Sequence, residues 1–355
     1  MDPAKVPEHR IPALRQLVEV LSAVQRIALV THVNADGDGA GSEAAVAAWL
    51  RSRGKDVHIT NPTIYPDNFR YLIEPSWVVD YTDGRADSII RNADVVFVLD
   101  TGEPKRTGRH MDSVVRRPVA VLDHHPPSQT GFNGTVFLDP TACATGELVY
   151  DLLQVAQYDG TWPTAVTEGI YTAVITDTGS FRFSNTTPRA HAIAGEMIGR
   201  GVDPELMYRR LFGTVPLRRI ELLRAALDTL EADAELPLTW LTVTRDAMQQ
   251  SGATAEDLEG LVEYARSIEG TELAILFRET NDGATKISFR SNGAMDVNTL
   301  ARQFGGGGHV KAAGALVGES LNQARQKVLD AARAALRATF PSAPSASLPS
   351  NSASS

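Results

Sequence analysis

Three consecutive residues, Asp123-His124-His125, follow the apolar run Val119-Ala120-Val121-Leu122 and bring one carboxylate and two imidazoles to a single point of the chain. Such groups ligate divalent cations, contact phosphates and move protons. A second set lies near the N-terminus in His32-Val33-Asn34-Ala35-Asp36-Gly37-Asp38-Gly39-Ala40-Gly41-Ser42, behind another short apolar run, Ile27-Ala28-Leu29-Val30. It reads as a loop in which Gly37, Gly39 and Gly41 let the backbone fold tightly around a ligand, while Asp36 and Asp38 can point to different ions in one site. Asp100 ends the run Val95-Val96-Phe97-Val98-Leu99, and Asp177 ends an apolar helical stretch at Ile175-Thr176-Asp177. Each of these alone reads as a turn or a strand-end cap, because Asp-Gly pairs are common turn chemistry. Together they put carboxylate or imidazole on four elements, where a doubly wound sheet gathers its ligands at the carboxyl ends of its strands.

The composition narrows the chemistry. Cys143 is the only cysteine, so neither an intrachain disulfide nor a thiolate metal cage can form. Metal ligands must then be oxygen and imidazole, which favours hard ions such as Mn2+ or Mg2+ over a structural zinc cluster. Cys143 itself reads as a small buried residue near a helix start rather than a reactive thiol. The formal net charge of -9 argues against a general duplex-binding surface, so any nucleic-acid contact should be local. The start of the chain has no signal-peptide pattern, and no apolar stretch is long enough to span a bilayer, so a cytoplasmic location is expected.

The elements that must position these residues can be read from periodicity. Leu14, Leu17, Val18 and Leu21 have helical spacing over residues 10–24; a strand follows at 26–31, a helix from about Ala40 to Arg53, and a strand at 57–60. The runs at 95–99 and 119–122 lack alternation, as expected of strands covered on both faces. The first part is therefore an α/β domain with a doubly wound, mainly parallel sheet, assigned to residues 1–200. Thr145-Gly146-Glu147 opens one helix, and Pro163 sits at the start of the next, which runs to Asp177. Residues 201–235 read as a helical connector. Strand-like runs at 240–244, 273–277 and 286–290, the last two joined by Asn281-Asp282-Gly283, give a smaller α+β domain over 236–338. The Ser-, Ala- and Pro-rich tail, 339–355, is expected to be disordered.

The His-x-x-x-Asp-x-Asp-Gly segment, Asp100, the Asp-His-His triplet and Asp177 occur in the order found in the DHH phosphoesterase superfamily, which this chain resembles. By that resemblance one Mn2+ is held by His32, Asp36 and Asp100, and a second by Asp38, Asp100, His124 and Asp177, with Mg2+ or Co2+ as alternative ions. Asp100 bridges the pair and Asp123 supports the triplet from outside the ligand set. Two such ions activate a water lying between them and neutralise the charge that builds up in phosphoryl displacement. His125 is placed to hydrogen-bond the phosphoryl oxygen or the leaving group, or else to orient its neighbours. His9, His58, His110 and His191 lie outside the motifs and read as surface or structural residues.

Arg290-Ser291-Asn292 ends a strand, and Phe304-Gly305-Gly306-Gly307-Gly308-His309-Val310-Lys311-Ala312-Ala313-Gly314 follows a short helix. The glycine run exposes backbone N–H groups and reads as a concave anion site, with His309 as an added donor. This segment resembles the DHH-associated C-terminal domain, in which the Arg-Ser pair and the loop, here Arg290, Ser291, Gly306, Gly307, Gly308 and His309, grip the phosphate and end nucleotide of the substrate. One DHH domain, a connector and one glycine-loop domain make up the compact, NrnA-like nanoRNase and pAp-phosphatase group, which the chain resembles from about His9 to Leu336. The resemblance implies hydrolysis of short single-stranded RNA to mononucleotides and 3′-phosphatase activity on 3′-phosphoadenosine 5′-phosphate (pAp), in a cleft between the domains. Homodimerisation is compatible with it. Two other readings stay open: a phosphodiesterase acting on linear or cyclic dinucleotides (pGpG, pApA, cyclic di-AMP), and a nucleotide sensor without catalysis. The role of residues 61–72, which carry prolines and aromatics, is also open: they line the cleft or only pack.

Overall fold

In the computed structural model, which describes residues 3–82, 84–128, 130–158 and 160–340, the unalternating apolar runs are strands of one parallel sheet. The chain runs through α1 (Ile11–Ala23), β1 (Arg26–Val30), α2 (Gly37–Ser52), β2 (Asp56–Ile59), α3 (Arg85–Asn92) and β3 (Val95–Leu99). It continues through a single turn, α4 (Met111–Val114), to β4 (Val119–Asp123) and β5 (Thr135–Leu138). The strands pair in parallel in the order β2-β1-β3-β4-β5. Alternate residues enter two different cores: Leu29, Phe97 and Leu122 pack with α1 and α2, whereas Val30, Val98 and Val121 pack with Ile90 of α3 and Val114. With both faces buried, the period-two signal disappears from the sequence. The direction of winding changes between β1 and β3, the point at which such a sheet opens a crevice beyond its strand ends.

α5 (Thr145–Val155), α6 (Thr164–Asp177), α7 (Pro188–Gly199) and α8 (Pro204–Tyr208) complete this unit. α6 lies against α2 with backbone touching backbone. A Cβ on Gly41 would overlap the carbonyl oxygen of Gly169, and one on Gly169 would lie 2.5 Å from the carbonyl oxygen of Gly41. The sequence expectation of a loop reaching to about Ala40 is corrected here: α2 begins at Gly37, because Asp36 caps it by accepting from the N–H groups of Asp38 and Gly39, each at 3.1 Å. Gly37, Gly39 and Gly41 are poor helix formers, which hides the helix start. Close packing requires them: a Cβ on Gly37 would strike Thr176, and one on Gly39 would lie 2.7 Å from Thr31 Oγ1.

The chain divides between Thr214 and Val215 into two compact units. The second begins with α9 (Leu217–Leu227), from the stretch read as a connector; its Leu222 and Ala226 are buried with Leu241 and Val243. Then follow β6 (Glu231–Ala232), β7 (Leu238–Val243), α10 (Arg245–Ser251), α11 (Leu261–Arg266), β8 (Leu273–Glu279) and β9 (Thr285–Ser291). α12 (Val297–Arg302), β10 (Gly307–Gly308), β11 (Ala312–Val317) and α13 (Leu321–Thr339) close the unit. The sheet order is β10-β11-β9-β8-β7-β6, antiparallel except between β7 and β8. Phe277, Phe289 and Ile287 form its core with Val328 and Leu336 of α13. The tail expectation falls on residues 341–355, outside the described residues, while residue 339 still belongs to α13. No described helix is long and apolar enough to cross a membrane.

Candidate metal centre

Each strand of the central trio delivers part of the centre. His32 follows β1 and is 5% exposed. Its Nδ1 donates to the carbonyl of Val33 at 2.9 Å, which turns Nε2 toward Asp100 Oδ2 (3.3 Å) and Asp36 Oδ2 (3.6 Å). Asp100 follows β3 with φ +61°, a left-handed conformation that Asp tolerates better than most residues. It is buried, its N–H donates to Leu122 O at 3.1 Å, and its Oδ1 accepts from Thr145 Oγ1 at 2.9 Å. A residue held in this region just past a strand end marks a constrained site.

Beyond β4, His124 turns Nδ1 toward Ala142 O at 3.4 Å and Nε2 toward three carboxylates: Asp38 Oδ2 at 3.6 Å, Asp100 Oδ1 at 3.8 Å and Asp177 Oδ2 at 3.8 Å. Asp38, on the first turn of α2, is buried and accepts from the N–H groups of Thr145 (2.6 Å) and Gly146 (2.9 Å). It thereby caps α5, whose own N-cap residue, Ala144, has no side-chain oxygen to do so. Asp177, at the end of α6, is brought to Asp38 by the α2–α6 contact and is held by Asn185 Nδ2 at 3.1 Å.

The arrangement has the chemistry of a cation site. The Nε2 atoms of His32 and His124 are buried without hydrogen-bond partners. His32, Asp36 and Asp100 form one group of ligand atoms within 4.8 Å of one another; Asp38, His124 and Asp177 form a second; Asp100, His124 and His125 form a third. Among the described residues, ion pairs to the four clustered aspartates come from histidine alone. Burial, with repulsion from Asp100, Asp177 and Asp36, pushes the Asp38 carboxyl well above the usual range. Burial and Asp100 push Asp177 up to about 6. Burial alone would lower His32, but its contacts with Asp100 and Asp36 push it up to about 10. Negative charge is crowded here with too little protein charge to balance it, and oxygen and imidazole donors suit hard divalent ions.

Asp123 is also buried but turns to its neighbour, its Oδ1 accepting from the His125 backbone N–H at 3.0 Å and from Nδ1 at 2.8 Å. That bond raises the His125 pKa above the ordinary value. The His125 side chain is 42% exposed, the most open imidazole of the centre. Cys143 is buried, with its thiol pushed up by burial and by Glu147. The remaining histidines have local partners: His9 on Asp139, His58 on Asp56, His110 on Asp87 and His191 stacked on Phe181. Residues 61–72 pack on α2 through Asn61 Nδ2 to Glu43 Oε2 (2.8 Å) and Tyr65 Oη to Ala40 O (3.0 Å), and they help to wall a cavity of about 370 Å³.

Sequence reasoning missed Thr145, Gly146 and Asn185 as partners of the ligands. One signal was available for the first two: a helix opening behind an alanine has to find its cap elsewhere. In the second unit, Arg290 Nε donates to Glu263 Oε1 at 3.1 Å, and Ser291 is buried with an Oγ that has no partner. The glycine run departs from the expected row of free N–H donors. Those of Gly305 and Gly306 are bonded to Arg302 O and Ala301 O at the end of α12, and that of His309 to Ala312 O, where the run folds into β10 against β11. His309 is exposed.

The chain matches family models over both units: the DHH family, N-terminal domain, over residues 26–176, and the DHHA1 domain over residues 239–338. The bifunctional oligoribonuclease and PAP phosphatase NrnA of Thermus thermophilus is 33% identical over 332 residues, covering 92% of this chain and 96% of that protein. The Bacillus subtilis protein of the same name is 27% identical, covering 85% and 92%. A solved exopolyphosphatase-related protein from Bacteroides fragilis superposes with a TM-score of 0.84 at 26% identity, covering 93% of this chain and 97% of that one.

Proposed function

The chain belongs to the DHH family, and on that premise we propose that it is a metal-dependent phosphoesterase that hydrolyses short RNA oligonucleotides to mononucleotides and removes the 3′-phosphate of pAp. The observation that carries the reading is the convergence of four aspartates on two buried imidazole Nε2 atoms that have no other partner. The Thermus and Bacillus relatives named for these two activities align over nearly their whole length, which supports the substrate assignment. A cytoplasmic location belongs to the same proposal.

His32, Asp36 and Asp100 would hold one divalent ion, and Asp38, Asp100, His124 and Asp177 the other, with Mn2+ the proposed ion. Ions bound there supply Lewis-acid stabilisation of the phosphoryl oxygens and lower the pKa of water. Thr145 and Gly146 keep Asp38 and Asp100 in place by hydrogen bonds. His125, with Nδ1 committed to Asp123, presents Nε2 to a phosphoryl oxygen or to the leaving oxygen, and its raised pKa suits it to deliver a proton. In the second unit Arg290, Ser291, the loop at Gly306, Gly307 and Gly308, and His309 hold the terminal phosphate and nucleotide.

The test is hydrolysis of a 5′-labelled RNA trimer and of pAp by the purified chain with Mn2+, with Asp100→Ala as the control. Turnover of both, lost in the variant, is expected. No turnover of either by the Mn2+-loaded wild-type chain, with cleavage of a dinucleotide instead, would sink the proposal.

A further inference from the structure

We propose that Arg10 and Arg189 are positioning residues of the metal centre, acting through the segment 139–147 that grips the ligands; this rests on the metal reading given above. Arg10, at the start of α1, is 2% exposed, and a guanidinium taken out of water must be fully paired. Its Nε donates to Asp139 Oδ2 at 2.7 Å, one terminal nitrogen to Glu147 Oε1 (2.6 Å) and Asp151 Oδ2 (2.8 Å), and the other to Thr141 Oγ1 (3.3 Å). Arg189, in the first turn of α7, donates through Nε to Glu147 Oε1 at 3.1 Å and also bonds Asp151. The second oxygen of Glu147 accepts from the Cys143 N–H at 3.0 Å. The stretch between β5 and α5 is thus pinned at Asp139, Thr141, Cys143 and Glu147.

The other side of the same stretch touches Asp38 and His124 of one candidate metal group and reaches its third member, Asp177, through Asn185. Thr145 and Gly146 hold both oxygens of Asp38, Thr145 Oγ1 holds Asp100, and Ala142 O receives His124 Nδ1. Cys143 O accepts from Asn185 Nδ2 at 2.9 Å, and that amide also holds Asp177. A buried ion cluster is weak evidence of net stabilisation, because desolvation offsets much of its Coulomb energy. What a planar, forked guanidinium adds is fixed geometry. Here that geometry is transmitted through one short segment to Asp38, His124 and Asp177, and ligands must be held to within about 0.5 Å for a metal site to work.

Calorimetric titration of the full chain with Mn2+ tests this on the wild type, Arg10→Met, Arg189→Met and Leu21→Ala. Leu21 is buried on α1 and has no place in the ion cluster, so its variant reports loss of stability alone. Circular dichroism first establishes that each variant is folded at the titration temperature. Both arginine variants should bind Mn2+ roughly 10- to 100-fold more weakly, while Leu21→Ala keeps wild-type affinity. Should Arg10→Met fail to fold, Arg189, whose side chain is 13% exposed, carries the test alone. Wild-type affinity in a folded arginine variant overturns the proposal, and so does an equal loss in Leu21→Ala. Absence of Mn2+ binding by the wild type overturns the metal reading itself, and this proposal with it.

Discussion

In the first unit, the side chains of the candidate centre are held by hydrogen bonds and backbone contacts within the protein. Asp38 is buried against two helix N–H groups, Asp100 sits in a left-handed turn, and His32 and His124 each have one nitrogen committed to, or facing, a backbone carbonyl. In the second unit, the residues proposed to hold substrate are open or already engaged: His309 is exposed, Arg290 rests on Glu263, and the glycine loop spends part of its N–H groups on the end of α12 and on its own hairpin. The first arrangement suits an ion of fixed size, because buried charges that repel one another need a compact counter-charge at a set distance. The second suits a ligand that arrives and leaves, whose phosphate must replace an existing partner of the arginine. A rigid centre should fail all at once when one ligand is lost, whereas an open site should fail by degrees.

That contrast can be broken most severely in the first unit. Asp38→Asn removes a proposed ligand and leaves an amide N–H facing the helix N–H groups it should accept from; phosphoesterase turnover should drop on the order of a thousandfold. Hydrogen exchange should show faster exchange at the start of α5 in the same variant. Next in size is Arg290→Ala in the second unit. It should raise KM roughly 10- to 100-fold, the loss of a charge-assisted bond, while calorimetry finds Mn2+ affinity unchanged. Loss of Mn2+ affinity in this variant would erase the distinction between the two regions. Smaller again is Gly41→Ala, whose Cβ has no room against Gly169; chemical denaturation should show a loss of about 1–3 kcal/mol, accompanied by weaker Mn2+ binding as Asp177 moves from Asp38.

The last prediction sharpens the contrast within α2 itself. Glu43 is fully buried with a single hydrogen bond, from Asn61, and burial pushes its pKa up to about 8. Between the ordinary value of 4.5 and about 8, the folded chain carries a proton that the unfolded chain has released. Stability from this group is therefore fully present below about 4.5 and is lost as pH rises through 8. Glu43→Gln should flatten that slope in urea melts at pH 5, 6.5 and 8, with the largest change, on the order of a kcal/mol or more, at pH 8.

The parallel sheet was legible because β1, β3 and β4 are short, apolar and unalternating, and the candidate cluster because each of these three strands ends at or beside an acid or a histidine. The start of α2 was not, since its three glycines argue for a loop until the partner helix is known. β11 was hidden for a related reason: Ala312-Ala313-Gly314-Ala315 has no large side chain to mark a buried face. Thr145, Gly146 and Arg10 bond partners far away in the sequence, and no local pattern records such contacts. The fourfold glycine run did not show its conformation, because the end of α12 and the pairing with β11 together decide which N–H groups stay free.

The meeting of Gly41 with Gly169 has a further consequence. Two bare backbones in contact have no rotamers to adjust, so the separation of α2 and α6 where Gly41 meets Gly169 behaves as a hard stop and not as a spring. Because Asp38 and Asp177 ride on the same two helices, the gap they can offer an ion is set in part by the main chain. Discrimination between ions of different radius would be written into two residues that carry no side chain at all.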